Sequence, residues 1–228
     1  MLKFRFTAGP IAQWWSRGLI ILWLQVRILL GPPFIAMKVL KDKILKLGRV
    51  KNGDVLKVDE FLNHQIDTKL LDKIADEFIK RFKGVKFTKV LTIETSGIAV
   101  AYPVAQKLGV PLVFAKKKDS VNIDGDKYSS KVISYTNFRE YDETVSKKFL
   151  SDKDNVLIVD DFLANGSSLR GLLSICQQAG CRIEGIGIVI EKSYKVAAKE
   201  LLDEGYRVES LVKIINIDEK TNKIEFGE

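Results

Sequence analysis

Apolar residues recur at Val39, Leu40, Ile44 and Leu47 and stop at Gly48, which predicts a short helix opening at Met37. VLKVDEFL (55–62) alternates enough to predict a strand or extended segment. Asp67 can cap a helix reaching about Phe82, since Leu70, Leu71, Ile74, Phe78, Ile79 and Phe82 keep helical spacing up to Gly84. A regular alternation follows. KVLTI (89–93) reads as a strand, 97–108 as a helix stopped by Gly109, and PLVFA (111–115) as a strand. NVLIV (155–159) is a strand, 167–179 a helix stopped by Gly180, and IEGIGIVI (183–190) a strand. Continuous apolar strands separated by helices predict an α/β fold, a parallel sheet flanked by helices on both faces. Between Lys116 and Leu150 the pattern changes to a β-rich excursion. Asp124-Gly125 is a hairpin turn pattern, and KVISYT (131–136) and TVSKKFL (144–150) read as strands.

Composition narrows the class. With 46% hydrophobic and 29% charged residues in 228, the chain can bury an ordinary core. Of the net charge of +8, Lys3, Arg5, Arg17 and Arg27 place four charges in residues 1–36, where there is no acid. The remaining four are spread among interspersed acids over 192 residues, too mild a field to argue for nucleic-acid binding but compatible with a polyanionic small ligand. Two cysteines, Cys176 and Cys181, make no disulfide framework and no zinc pattern. A reducing compartment, the cytoplasm, is expected.

Residues 1–36 differ from the rest. All three tryptophans, Trp14, Trp15 and Trp23, are there, with Pro32-Pro33 and the apolar run GLIILWLQVRILL (18–30). A signal peptide would have a basic start and an apolar stretch, but Arg27 interrupts the stretch and Pro-Pro stands where cleavage belongs. A spanning helix needs about 20 apolar residues. The expectation is an atypical extension outside the working protein, with one domain over 37–228 beginning at Met37.

The most informative segment is VLIVDDFLANGSS (156–168). A buried strand ends in two adjacent acids, Asp160 and Asp161, and a small-residue loop then opens a helix. Ligands of open α/β sheets bind beyond the carboxyl ends of strands, where loops meet helix N-termini. Amides of Gly166, Ser167 and Ser168, with two hydroxyls and the helix dipole, make a phosphate cradle there. Carboxylates beside a phosphate site suit ribose hydroxyls or a hydrated Mg²⁺. Strand, acid pair and loop together resemble the 5-phosphoribosyl-1-pyrophosphate (PRPP) motif of type I phosphoribosyltransferases. Phe162 and Asn165 depart from that family's usual residues and are similar to its xanthine branch.

The resemblance covers 37–228 and is most specific at 55–67, 156–168 and 185–193. It implies a type I phosphoribosyltransferase-like sheet with a β-rich flap and an N-terminal base-recognition segment. For PRPP it implies contacts from Ala164, Asn165, Gly166, Ser167 and Ser168, and from a second loop at Glu94 carrying Thr95, Ser96 and Gly97. One or two of Lys116, Lys117 and Lys118, Lys116 first, would neutralise leaving pyrophosphate. VLKVDEFLNHQID (55–67) resembles the base-recognition region, so Leu56 and Asn63 would contact the purine, and Lys192 would donate to its 6-oxo group. Asn offers both donor and acceptor, as an N–H beside a C=O on a purine requires. His64, the only histidine, lacks an oriented partner and reads as structural.

The implied reaction joins xanthine to PRPP, giving xanthosine 5′-monophosphate and pyrophosphate in purine salvage. Asp160 and Asp161 would hold the ribose, with Asp161 also available as a base. Mg²⁺ would arrive with PRPP and take no direct protein ligand. A homodimer is implied, with no nucleic-acid or membrane partner. The rival reading is a PRPP-sensing purine repressor on the same fold. Such regulators carry a DNA-binding module ahead of this domain, and residues 1–36 show no helix-turn-helix pattern.

Overall fold

The computed structural model describes residues 32–117, 125–134 and 139–227. In chain order it contains α1 (Pro32–Leu47), β1 (Arg49–Lys51), β2 (Val55–Lys57), a π-helical turn (Asp59–Asn63), α2 (Thr68–Arg81), β3 (Lys89–Ile93), α3 (Ser96–Leu108) and β4 (Leu112–Ala115). There follow β5 (Lys127–Ser134), β6 (Arg139–Ser146), β7 (Asn155–Leu163), α4 (Ser167–Ala179), β8 (Arg182–Lys192), α5 (Ala197–Asp203), β9 (Val208–Asp218) and β10 (Lys223–Phe226). None of the described helices is long and apolar enough to cross a membrane. The apolar run 18–30 lies outside the described residues.

Strand alternation explains the layers. The main sheet has the order β10-β9-β8-β7-β3-β4 and is parallel except for the β10–β9 pair. In β7, Leu157 and Val159 pack into a core with Leu40, Ile74, Phe78 and Val104 from α1, α2 and α3. Val156 and Ile158, their neighbours, face a second core with Leu172, Ile175 and Leu201 from α4 and α5. Helices therefore cover both faces, as the continuous apolar strands predicted. Asp67 caps α2 by accepting from the Leu70 N–H at 3.0 Å. Gly109 and Gly180 end α3 and α4 in the left-handed conformation (φ 68° and 70°).

Three expectations are corrected. The segment 55–62 is a strand only to Lys57. Adjacent Phe61 and Leu62 are both buried, which a turn of helix can do and strand alternation cannot, and the wide bond from the His64 N–H to Asp59 O closes the π-helical turn. β7 does not end at the acids but runs through them to Leu163, because it pairs with β8 as far as Glu191. In the excursion, β5 pairs antiparallel with β6 from Lys127↔Ser146 to Ser134↔Arg139, five residues earlier than the second expected strand began. Gly125 precedes this hairpin rather than forming its tip; Asp124 and residues 135–138 lie outside the described residues.

One buried charge joins the N-terminal ends of β3 and β7. Asp154, 5% exposed, accepts from Lys89 Nζ (2.7 Å), Thr88 Oγ1 (2.9 Å) and the Ser151 N–H (2.9 Å). Burial alone would raise its carboxyl, but the Lys89, Ser151 and Thr88 hydrogen bonds hold it below the usual carboxylate range. Asp154→Ala is expected to cost about 2–4 kcal/mol in urea denaturation at neutral pH, since it strands Lys89 and two further donors, Thr88 and Ser151. With the folded value depressed, the contribution is present at neutral pH and is lost as pH falls through the folded value. The gap between wild type and variant should therefore close in acid.

Candidate active site

The loop after β7 is built as the small residues require. After β7, Ala164 and Asn165 turn into Gly166, which stands at the N-cap of α4 with φ 76°. A Cβ at Gly166 would sit 2.9 Å from the Ala197 Cβ, so both conformation and space call for glycine. Gly166 has no side chain to cap α4, which leaves the first-turn amides of Ser167, Ser168 and Leu169 without a side-chain cap. Over this loop opens a cavity of about 250 Å³ lined by 162–169, Asp160, Lys117, Ile133 and Tyr141.

The two acids face different neighbours because successive strand residues project to opposite faces. Asp160 lines the cavity, whereas Asp161 reaches toward the N-terminal segments. Both are buried, 7% and 5% exposed. Asp161 Oδ1 accepts from Ser96 Oγ at 3.0 Å and its Oδ2 from Asn63 Nδ2 at 3.2 Å. The Asp161 N–H in turn donates to Asp160 Oδ1 at 3.0 Å. Burial, and then the negative charge of Asp161, hold the Asp160 carboxyl well above the usual range, against the opposing influence of Lys117. Such a site gains when donors or positive charge arrive. Ribose hydroxyls, a hydrated cation or a positively charged sugar ring all meet that requirement.

The second loop, Glu94 to Gly97, lies beside the acids. Its Glu94–Thr95 peptide bond is cis. The Glu94 N–H donates to Ala115 O (3.0 Å), and Glu94 Oε1 accepts from the Lys117 N–H (2.7 Å), which fastens the loop to the end of β4. Gly97 is packed so closely that a Cβ there would lie 2.2 Å from Thr92 Oγ1 and 2.7 Å from Asp160 Oδ1.

The segment 54–63 is tied at one end to Asp161 and at the other to Lys192. Asn63 closes the π-helical turn against Asp161. Lys192, at the end of β8 and 9% exposed, donates from Nζ to the Asp54 carbonyl, just before β2. Burial lowers its affinity for the proton, partly offset by the Asp54 charge. Leu56 sits between these contacts and is packed in the core, 6% exposed. His64 is exposed.

The lysines sort differently from the expected order. Lys117, not Lys116, lines the phosphate-loop cavity, with its Nζ 5.7 Å from the Tyr141 ring centroid. Lys116 pairs with Thr144 across an isolated bridge and lines a separate cavity with Leu112, Phe114 and Phe149. Lys117 stands at a bend just after the Lys116 bridge, and the two side chains line different cavities. Lys118 lies outside the described residues. Two further residues at the site, Tyr141 and Glu143, fall in a stretch that the sequence pattern leaves as a connection. The alternation of Tyr141, Glu143 and Val145 was the available signal.

The phosphoribosyl transferase domain model matches residues 57–222. The xanthine phosphoribosyltransferase of Bifidobacterium adolescentis is 48% identical over 191 residues, covering 83% of this chain and 99% of that protein. That of Bacillus cytotoxicus is 49% identical over 185 residues, 81% and 94% of the two chains. Among solved structures, the adenine phosphoribosyltransferase of Giardia lamblia complexed with 9-deazaadenine superposes with TM-score 0.64 at 24% identity, covering 76% of this chain and 97% of that one. The adenine phosphoribosyltransferase of Rhodothermus marinus gives TM-score 0.65 at 19% identity, covering 78% and 98%.

Proposed function

The chain belongs to the phosphoribosyl transferase domain family, and we propose that it is a xanthine phosphoribosyltransferase of purine salvage, joining xanthine to PRPP with release of pyrophosphate. The observation that carries the site assignment is the Asp161 carboxylate. It receives Ser96 from the second loop and Asn63 from the base segment, while its neighbour Asp160 lines the phosphate cradle. Three segments distant in sequence thus meet at one pair of acids.

Each group has a task that suits its chemistry. The amides and hydroxyls at 166–168 hold the 5′-phosphate of PRPP, and Ala164 and Asn165 shape the loop. Thr95, Ser96 and Gly97 let the backbone approach the pyrophosphate, whose departing charge Lys117 helps to balance. Asp160 and Asp161 accept from the ribose hydroxyls and favour positive charge developing on the ring. Asn63 reads an N–H beside a C=O on the base. Lys192 has three N–H donors, of which the Asp54 carbonyl takes one, so it can also donate to the 6-oxo group.

Among the described residues no group of three or more metal-ligand side chains comes together. The two adjacent buried acids fit a hydrated Mg²⁺ that PRPP itself carries. Bound with the substrate, Mg²⁺ supplies further charge neutralisation for the leaving pyrophosphate. We place the protein in the cytoplasm as a homodimer, with residues 37–228 as the working domain.

Initial rates with xanthine, guanine, hypoxanthine and adenine in parallel test the substrate. Turnover should be fastest on xanthine, and equal turnover on adenine contradicts the reading. Asn63→Ala is expected to raise the xanthine KM about tenfold, the worth of one well-placed hydrogen bond, with the PRPP KM within about twofold of wild type. An unchanged xanthine KM would remove Asn63 from the base site.

A further inference from the structure

Beneath the phosphate loop lies a carboxyl group that the reaction as described leaves unused. Glu143 on β6 is 0% exposed, and its Oε2 has no hydrogen-bond partner. The molecule makes room for it with a glycine inside α4. A Cβ at Gly171 would lie 2.1 Å from Glu143 Oε2 and 2.7 Å from Val132 Cγ2. Helix interiors disfavour glycine, so its presence opposite a buried acid marks a packed arrangement rather than an accident of rotamer. The other oxygen, Oε1, lies 3.4 Å from the Tyr141 hydroxyl, and that hydroxyl lies 3.0 Å from Ser168 Oγ. Ser168 stands in the first turn of α4, inside the cradle. A chain of three side chains therefore runs from a buried acid to the place assigned to the 5′-phosphate.

The surroundings decide the state of that acid. Lys117, beyond β4, is the cation whose charge acts on Glu143. From β5 comes the apolar Val132, and from α4 come Gly171 and Ser168; Arg170 of the same helix is turned to Glu200 and Glu204. Tyr141 feels Asp160 of β7 and is itself raised, by burial first. Burial outweighs Lys117 and the hydroxyls, and the Glu143 carboxyl is pushed up to about 8. It holds its proton at neutral pH.

Resting on the reading of 164–168 as the phosphate cradle, we propose that Glu143 is a positioning residue that sets the direction of the hydroxyl chain. Protonated Glu143 donates to Tyr141, Tyr141 donates to Ser168, and the Ser168 proton is left for the phosphate. Ionised Glu143 can only accept. Tyr141 then donates to Glu143, Ser168 donates to Tyr141, and the phosphate loses a donor while a negative charge appears behind the loop. The same chain ties β6 of the flap to the cradle.

Tight PRPP binding needs the protonated form, so affinity is close to full at pH 7, is halved near pH 8 and falls further as pH rises. The PRPP KM of the full chain should rise about tenfold between pH 7 and pH 9, as the competent fraction falls, with little change in kcat. Glu143→Gln, whose amide is a permanent donor, should lack this tenfold rise. Tyr141→Phe removes the middle hydroxyl and should reduce the pH dependence, and serves should the first variant fail to fold. Titration of PRPP itself is common to all three proteins and cancels in the comparison. Calorimetric PRPP binding at pH 7 and pH 9 gives the same contrast without turnover. Identical pH dependence in wild type and Glu143→Gln overturns the proposal while leaving the cradle intact. Failure of wild type to bind PRPP at either pH overturns the cradle reading and the proposal with it.

Discussion

Asp160→Asn combined with Asp161→Asn is expected to lower xanthine turnover by about 10³-fold or more, on the scale of losing electrostatic groups aimed at a transition state. Asparagine keeps the shape of each side chain but removes the negative charges that would hold the ribose and favour positive charge on its ring. The double variant is expected to stay folded. Burial and the neighbouring charge hold the Asp160 carboxyl above its unfolded value, so at neutral pH its ionisation opposes the folded state. Removing that charge should leave the thermal midpoint at or above wild type. The amide oxygen that replaces the Asp161 carboxylate can still accept from Ser96, although Asn63 loses its charged acceptor. Circular dichroism and pyrophosphate release, measured on the same preparation, separate the two effects. Near-wild-type turnover in a folded double variant removes the acids from the site.

A single methyl group at Gly97 should be nearly as damaging. Its carbon would need to occupy space 2.2 Å from Thr92 Oγ1 and 2.7 Å from Asp160 Oδ1. Thr92 is 0% exposed and β-branched, so it has no alternative position at low cost. Either the second loop moves away from the acids or Asp160 turns out of the cavity. A displacement of about 1 Å at a reacting centre can cost about 10²-fold, and Gly97→Ala should lower kcat/KM by about that factor. Overpacking should also destabilise the fold by about 1–3 kcal/mol in urea denaturation. Wild-type kinetics in this variant would mean that the 94–97 loop does not serve the reaction.

Local chemistry made part of this legible from sequence. The Asp67 cap, the stops at Gly109 and Gly180 and the apolar strands 89–93 and 183–190 depend on neighbours within a few residues, and each stands where the pattern put it. So does the short turn from Ala164 into α4, because small residues and helix start are contiguous. What the pattern missed depends on partners far away. β7 runs through its acids because β8 continues beside it. Phe61 and Leu62 leave strand geometry because the core takes both. The flap strands take their register from each other, which hides Tyr141 and Glu143 until Ser168 is seen across from them. The meeting of Asn63 with Asp161 joins residues 98 positions apart, which no local periodicity encodes. Lys117 is separated from Lys116 only by which way each side chain faces at the end of β4.

The most direct measurement is the product formed by the full chain given Mg²⁺, PRPP and xanthine. Xanthosine 5′-monophosphate and pyrophosphate should appear in equal amounts, and the Asp160→Asn/Asp161→Asn variant should form neither at a comparable rate. PRPP bound by the wild-type protein, with no nucleotide formed from xanthine or any other purine base, would contradict the account and leave a sensor of PRPP in its place.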